Sequence, residues 1–136
     1  MKLRKLAYIQ LHDSRFRIRM VTDEQQNGYH EFSSNALSGS EFAHQSASAL
    51  TAELRSALKS LGAFQLGVIK PLALVQLMKR LPKRLTDNER SNLIRKIEAA
   101  GIHEPMLLFD ADTLPSFEFL MMIRKRWFRA RAQRHV

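Results

Sequence analysis

Four carboxylates, Asp13, Glu53, Asp110 and Asp112, are the residues that could converge on a pair of divalent ions. Two-metal cleavage of a phosphodiester needs several such groups, because the ions must stabilise both the attacking and the leaving oxygen. Their settings argue against that chemistry. Asp13 falls in the polar turn His12-Asp13-Ser14, and Asp110-Ala111-Asp112 reads as a solvated loop before the last helix. The apolar run at 72–78 ends in Lys79-Arg80 instead of an acid. The histidines, His12, His30, His44, His103 and His135, show no i, i+4 pair of the kind that grips a metal. There is no cysteine, no glycine-rich phosphate loop and no Gly-x-Ser-x-Gly elbow. The expectation is a chain without a catalytic site, metal or cofactor.

Charge is more informative. The net charge is +9, and Arg124, Lys125, Arg126, Arg129, Arg131 and Arg134 place six cations after Ile123 with no acid among them. The rest of the chain holds 16 basic and 13 acidic residues, so two thirds of the excess sits in a short tail. Trp127 and Phe128 lie between these cations. Cations that meet phosphate beside aromatics that stack on bases suit nucleic acid. The same mixture suits an acidic membrane face or an acidic protein. The plainer alternative packs Trp127 and Phe128 on a sheet and leaves the arginines solvated. Arg15, Arg17 and Arg19 alternate with Phe16, Ile18 and Met20 and are candidates to extend the same patch.

That alternation marks a half-buried strand over 15–22 with an arginine row on its wet face. An apolar segment at 6–12 precedes it, and 29–37 predicts a third antiparallel strand after the Asn27-Gly28 turn signal. From Glu41 the period changes. Ala43, Ala47, Leu50, Leu54, Leu58 and Leu61 recur every three or four residues, predicting a helix over 41–61 capped by Ser40 and stopped by Gly62. Leu72 to Met78 reads as a buried parallel strand, in competition with Phe64–Ile69. Thr86-Asp87-Asn88-Glu89 is a capping box that opens a helix over 87–100, with Leu93, Ile94, Ile97 and Ala100 inward and Gly101 at its end. Met106–Phe109 predicts a last strand, and 114–130 a last helix with Pro115 in its first turn.

The order βββαβαβα, with right-handed crossovers, implies a mixed sheet flanked by helices in one α/β domain of the ribonuclease H-like and actin-like type. The 136 residues suit a single domain over 1–136 ending in a basic helix or tail at 124–136. No apolar run approaches the ~20 residues that span a bilayer. The basic start Met1–Leu6 meets Gln10, His12 and Asp13 too early for a signal-peptide core. A cytoplasmic location is therefore expected.

From Lys70-Pro71 onward the chain resembles the opening subdomain of the rod-shape-determining bacterial actins. The carriers are the strand Leu72–Met78, Leu85-Thr86-Asp87-Asn88-Glu89-Arg90, Glu98-Ala99-Ala100-Gly101 and Met106–Phe109. Tyr8-Ile9-Gln10 with its following basic strand, and Phe32-Ser33-Ser34-Asn35, are similar to short enterobacterial orphan proteins of the YjaA type. The resemblance implies the fold and a tendency to protein contacts, without the ATP site. Where the actins carry Asp-Leu-Gly-Thr for phosphate, this chain has His12-Asp13-Ser14-Arg15, and the second phosphate loop and adenosine pocket have no counterpart in these residues. The expected function is a non-catalytic interaction module that binds a protein or an anionic surface, nucleic acid or membrane, and takes no nucleotide. A divergent ribonuclease H-like nuclease or nucleic-acid-binding protein is the alternative.

Overall fold

The computed structural model describes residues 4–22, 26–39, 41–43, 48–79, 81, 83–109 and 114–134. Five strands, β1 (Leu6–Leu11), β2 (Arg15–Val21), β3 (Gln26–Ser33), β4 (Leu72–Leu77) and β5 (Met106–Leu108), form one sheet in the order β3-β2-β1-β4-β5. Among the described residues three α-helices accompany it: α1 (Ala49–Ser60), α2 (Asp87–Ala99) and α3 (Phe117–Arg134). β2 is antiparallel to β1 and β3, while β4 runs parallel to β1 and β5. This is the ribonuclease H-like mixed sheet expected from the element order.

β1 and β4 are buried along their whole length, as central strands covered on both faces must be. Ala7, Ile9, Leu11, Phe16, Ile18, Ala73 and Val75 meet Leu50, Leu54 and Leu58 of α1 and Leu93 and Ile97 of α2 in the larger core. On the opposite face Leu6, Tyr8, Val21, Leu72 and Leu74 pack with Leu120 of α3. α1 and α2 thus cover one face and α3 the other. The capping box forms as expected: Thr86 Oγ1 accepts from the Glu89 amide at 3.1 Å, and the Thr86 amide donates to Glu89 Oε1 at 2.9 Å.

Several boundaries differ from expectation. The first helix begins at Ala49 rather than near 41, and Glu41–Ala43 form a separate 3-10 turn. Ser48 stands at the N-cap of α1, as expected of serine, whose hydroxyl competes for backbone bonds inside a helix. Ser40, the expected cap, lies outside the described residues. Asn27-Gly28 sits inside β3, with Val21 paired to Gln26. β3 ends at Ser33, because Ser34 Oγ accepts from the Leu37 amide at 3.1 Å and closes a turn where the ladder would have continued. Phe64–Ile69 is a small loop closed by one Gln65–Ile69 bridge, and Leu72–Leu77 takes the strand. α3 starts after Pro115, with Ser116 Oγ accepting from the Phe119 amide at 3.1 Å, and runs on to Arg134. Among the described residues no helix is long and apolar enough to cross a membrane.

Candidate functional site

β1 and β4 run parallel, and the chain leaves one to the hairpin and the other toward α2. Their carboxyl ends therefore flank a point where the sheet changes direction, the usual place for a ligand crevice in α/β sheets. An open hollow of about 550 Å³ lies there, lined by His12, Asp13, Arg15, Met78 and Lys79. Lys79 occupies it: its ammonium donates to Asp13 Oδ1 at 2.6 Å and to the Leu37 carbonyl at 2.8 Å. Ser14 turns the hairpin at φ 63° and holds the same corner, accepting on its carbonyl from the Ser34 amide at 2.9 Å.

Two of the four carboxylates, Asp13 and Glu53, are used in contacts within the fold. Asp13 carries the Lys79 ion pair with most of its side chain in solvent. Glu53 accepts from Ser34 Oγ at 2.7 Å and from the Asn35 amide at 3.0 Å, tying α1 to the end of β3. Asp110 and Asp112 lie outside the described residues. Among the described residues no group of three or more His, Asp or Glu side chains is placed to hold a metal ion.

Inside the sheet, two amides stand side by side. Gln10 of β1 pairs in register with Gln76 of β4. The buried Tyr8 hydroxyl donates to Gln76 Oε1 and accepts from Gln10 Nε2 at 3.0 Å. His12 Nε2 lies 3.1 Å from Gln10 Oε1 at the outer end of this chain of bonds. Burial pushes the Tyr8 hydroxyl above its ordinary pKa. Burial first, and then the charges of Arg15 and Arg17, hold His12 below the ordinary histidine value.

The arginine row of β2 is exposed at Arg15 and half-buried at Arg17 and Arg19. It lies on the α3 side of the sheet and is threaded between aromatics. Arg17 stands over the Tyr29 ring at 4.4 Å, and Arg19 stands 5.5 Å from Tyr29 and 5.4 Å from Phe117 at the start of α3. Tyr29 meets Tyr8 edge-on with ring centres 6.2 Å apart. Arg15 pairs with Glu31 of β3 at 3.1 Å. The structure thus brings Arg17, Arg19 and the beginning of α3 onto one surface.

The cations of α3 do not act as one group. Arg124 is only 2% exposed, and its Nε donates to the Arg4 carbonyl at 2.5 Å. The expectation that it serves an outside partner is corrected, because it fastens α3 to the chain leading into β1. Lys125 and Arg126 are exposed and line one end of a groove of about 640 Å³ along the flank of α3, with Phe117, Glu118, Met121 and Met122. Trp127, Phe128, Arg129, Arg131 and Arg134 fall in the last turns of α3, and their side chains lie outside the described residues.

The sequence reading did not find the Tyr8–Gln10–Gln76 chain, Lys79 as the filler of the hollow, or the roles of Tyr29 and Phe117. The available signal was the single polar residue that interrupts each central strand, Gln10 and Gln76.

No protein-family model matches the chain. No curated protein matches it either. Among solved structures, T. thermophilus RuvC in complex with a Holliday junction substrate aligns over 95% of this chain and 96% of its own, at 12% identity and a TM-score of 0.42.

Proposed function

We propose that this chain is a non-catalytic binding module of ribonuclease H-like fold that holds an anionic partner on the face formed by β2, β3 and α3. The observation that carries the reading is the cation–aromatic ladder of Arg17, Tyr29, Arg19 and Phe117. Guanidinium groups held over rings are arranged before a partner arrives, so less side-chain freedom is lost on binding. The non-catalytic part is supported by the Gln10–Gln76 pair and by Lys79 beside Asp13, which are amides and an ion pair, not the several acids that two-metal chemistry needs. The resemblance to the opening subdomain of the bacterial actins favours a protein as the partner. A chain without cysteine suits a reducing compartment, and the cytoplasm is the proposed location.

The test is binding of a single-stranded oligonucleotide, polyglutamate and phosphatidylglycerol vesicles to the parent and to an Arg17→Gln/Arg19→Gln variant. The variant should bind at least one of these anions about tenfold more weakly, with a shallower salt dependence. Unchanged affinity for all three would remove the ladder from the reading. Mg²⁺-dependent cleavage of DNA or RNA by the parent, lost in Asp13→Ala, would overturn the non-catalytic part. Calorimetric titration with ATP and Mg²⁺ should show no binding at micromolar concentrations.

A further inference from the structure

The path of α3 is set by three contacts. Phe117 lies beside Arg19, whose strand partner is Tyr8, and Leu120 packs with Leu6 and Val21. Arg124 then reaches the Arg4 carbonyl, ahead of the first residue of β1. The helix therefore runs antiparallel to β1 and meets the start of that strand at Arg124. It continues to Arg134, and at 1.5 Å per residue that is about 15 Å of helix past the strand's beginning. The groove along its flank has an apolar floor of Phe117, Met121 and Met122, with Glu118 toward one end and Lys125 and Arg126 toward the other. Beyond them the helix carries Arg129, Arg131 and Arg134 and no acid.

We propose that this groove docks an acidic amphipathic helix of a protein partner. The inference rests on the anionic-partner reading above and names the partner's chemistry. Charge complementarity gives the sign: Lys125 and Arg126, exposed at one end of the groove, select a negatively charged ligand there. The floor gives the class. Methionine and phenylalanine at the bottom of a groove fit the apolar stripe of a helix, and flexible methionines adapt to its side chains. Interfaces for nucleic acid are more polar than this floor. Glu118 also sets direction, since an acidic segment is repelled at that end and attracted at Lys125 and Arg126.

The experiment uses the full chain and a labelled peptide with leucine and glutamate at helical spacing, followed by fluorescence anisotropy. A scrambled peptide of equal composition, an oligonucleotide duplex and phosphatidylglycerol vesicles run beside it. Met122 is 41% exposed and Lys125 and Arg126 are exposed, so Met122→Gln and Lys125→Glu/Arg126→Glu should keep the fold, as circular dichroism will check. The patterned peptide should bind at least about tenfold more tightly than the scrambled one, and each variant should lose about tenfold. A peptide with lysine in place of glutamate should regain binding to the charge-reversed variant. Equal binding of patterned and scrambled peptides, or full affinity in Met122→Gln, would overturn the groove. Preference for duplex or vesicles would also overturn it while leaving the anionic-partner reading standing. Binding to none of the probes would remove both.

Discussion

Gln10 and Gln76 lie opposite one another on the two central parallel strands, and the Tyr8 hydroxyl bonds to both. All three side chains are buried. A buried hydroxyl or amide that loses its partner keeps the cost of desolvation without the compensating bond. Tyr8→Phe should therefore destabilise the chain by about 1–3 kcal/mol. Urea unfolding gives the value, and an unchanged midpoint would mean that the hydroxyl contributes nothing.

The capping box at Thr86 and Glu89 satisfies two amides at the start of α2, a helix whose inward face supplies Leu93 and Ile97. Thr86→Ala removes the acceptor for the Glu89 amide and should cost about 1 kcal/mol. Thr86→Ser keeps the hydroxyl and should stay close to the parent in the same denaturation series.

At the other end of α2, Gly101 has φ 110°, and a Cβ there would stand 2.5 Å from the Phe64 ring. Backbone strain and overlap act together, so Gly101→Ala should cost more than about 1 kcal/mol. Phe64→Ala in the same chain relieves the overlap and not the strain. The double variant should therefore show a smaller penalty for the alanine at 101 in a double-mutant cycle.

His12 titrates below its ordinary value of 6.5 in the folded chain, because burial and the neighbouring Arg15 and Arg17 disfavour its cation. Near and below that value the unfolded chain binds a proton more readily than the folded one, so unfolding takes up protons there and stability rises with pH. Its contribution is complete above the unfolded value and is lost as pH falls through it toward the folded one. In His12→Gln this part of the slope, at and below the ordinary histidine value, should vanish. Chemical denaturation at several pH values reads it directly, and parallel curves for parent and variant would exclude His12 as the source.

The periodicities of the chain determined its elements. Alternation in Arg15–Val21, the continuous apolar runs at β1 and β4, and the three- and four-residue spacing in α1 and α2 placed strands and helices in the right order, because burial of one face or two imposes those periods. The capping box was legible for a similar reason: it is a bond pattern closed within four residues. The candidate site was not, because its parts meet over long sequence separations. Nothing local in Lys79 tells that it will neutralise Asp13, or in Tyr29 and Phe117 that they will hold Arg17 and Arg19. Arg124 makes the sharpest case. In sequence it is one more cation in a basic run, and only the passage of α3 across the start of β1 buries it against the Arg4 carbonyl. Residue type sets what a side chain is able to bond, and tertiary contact decides whether its partner lies inside the fold or outside it.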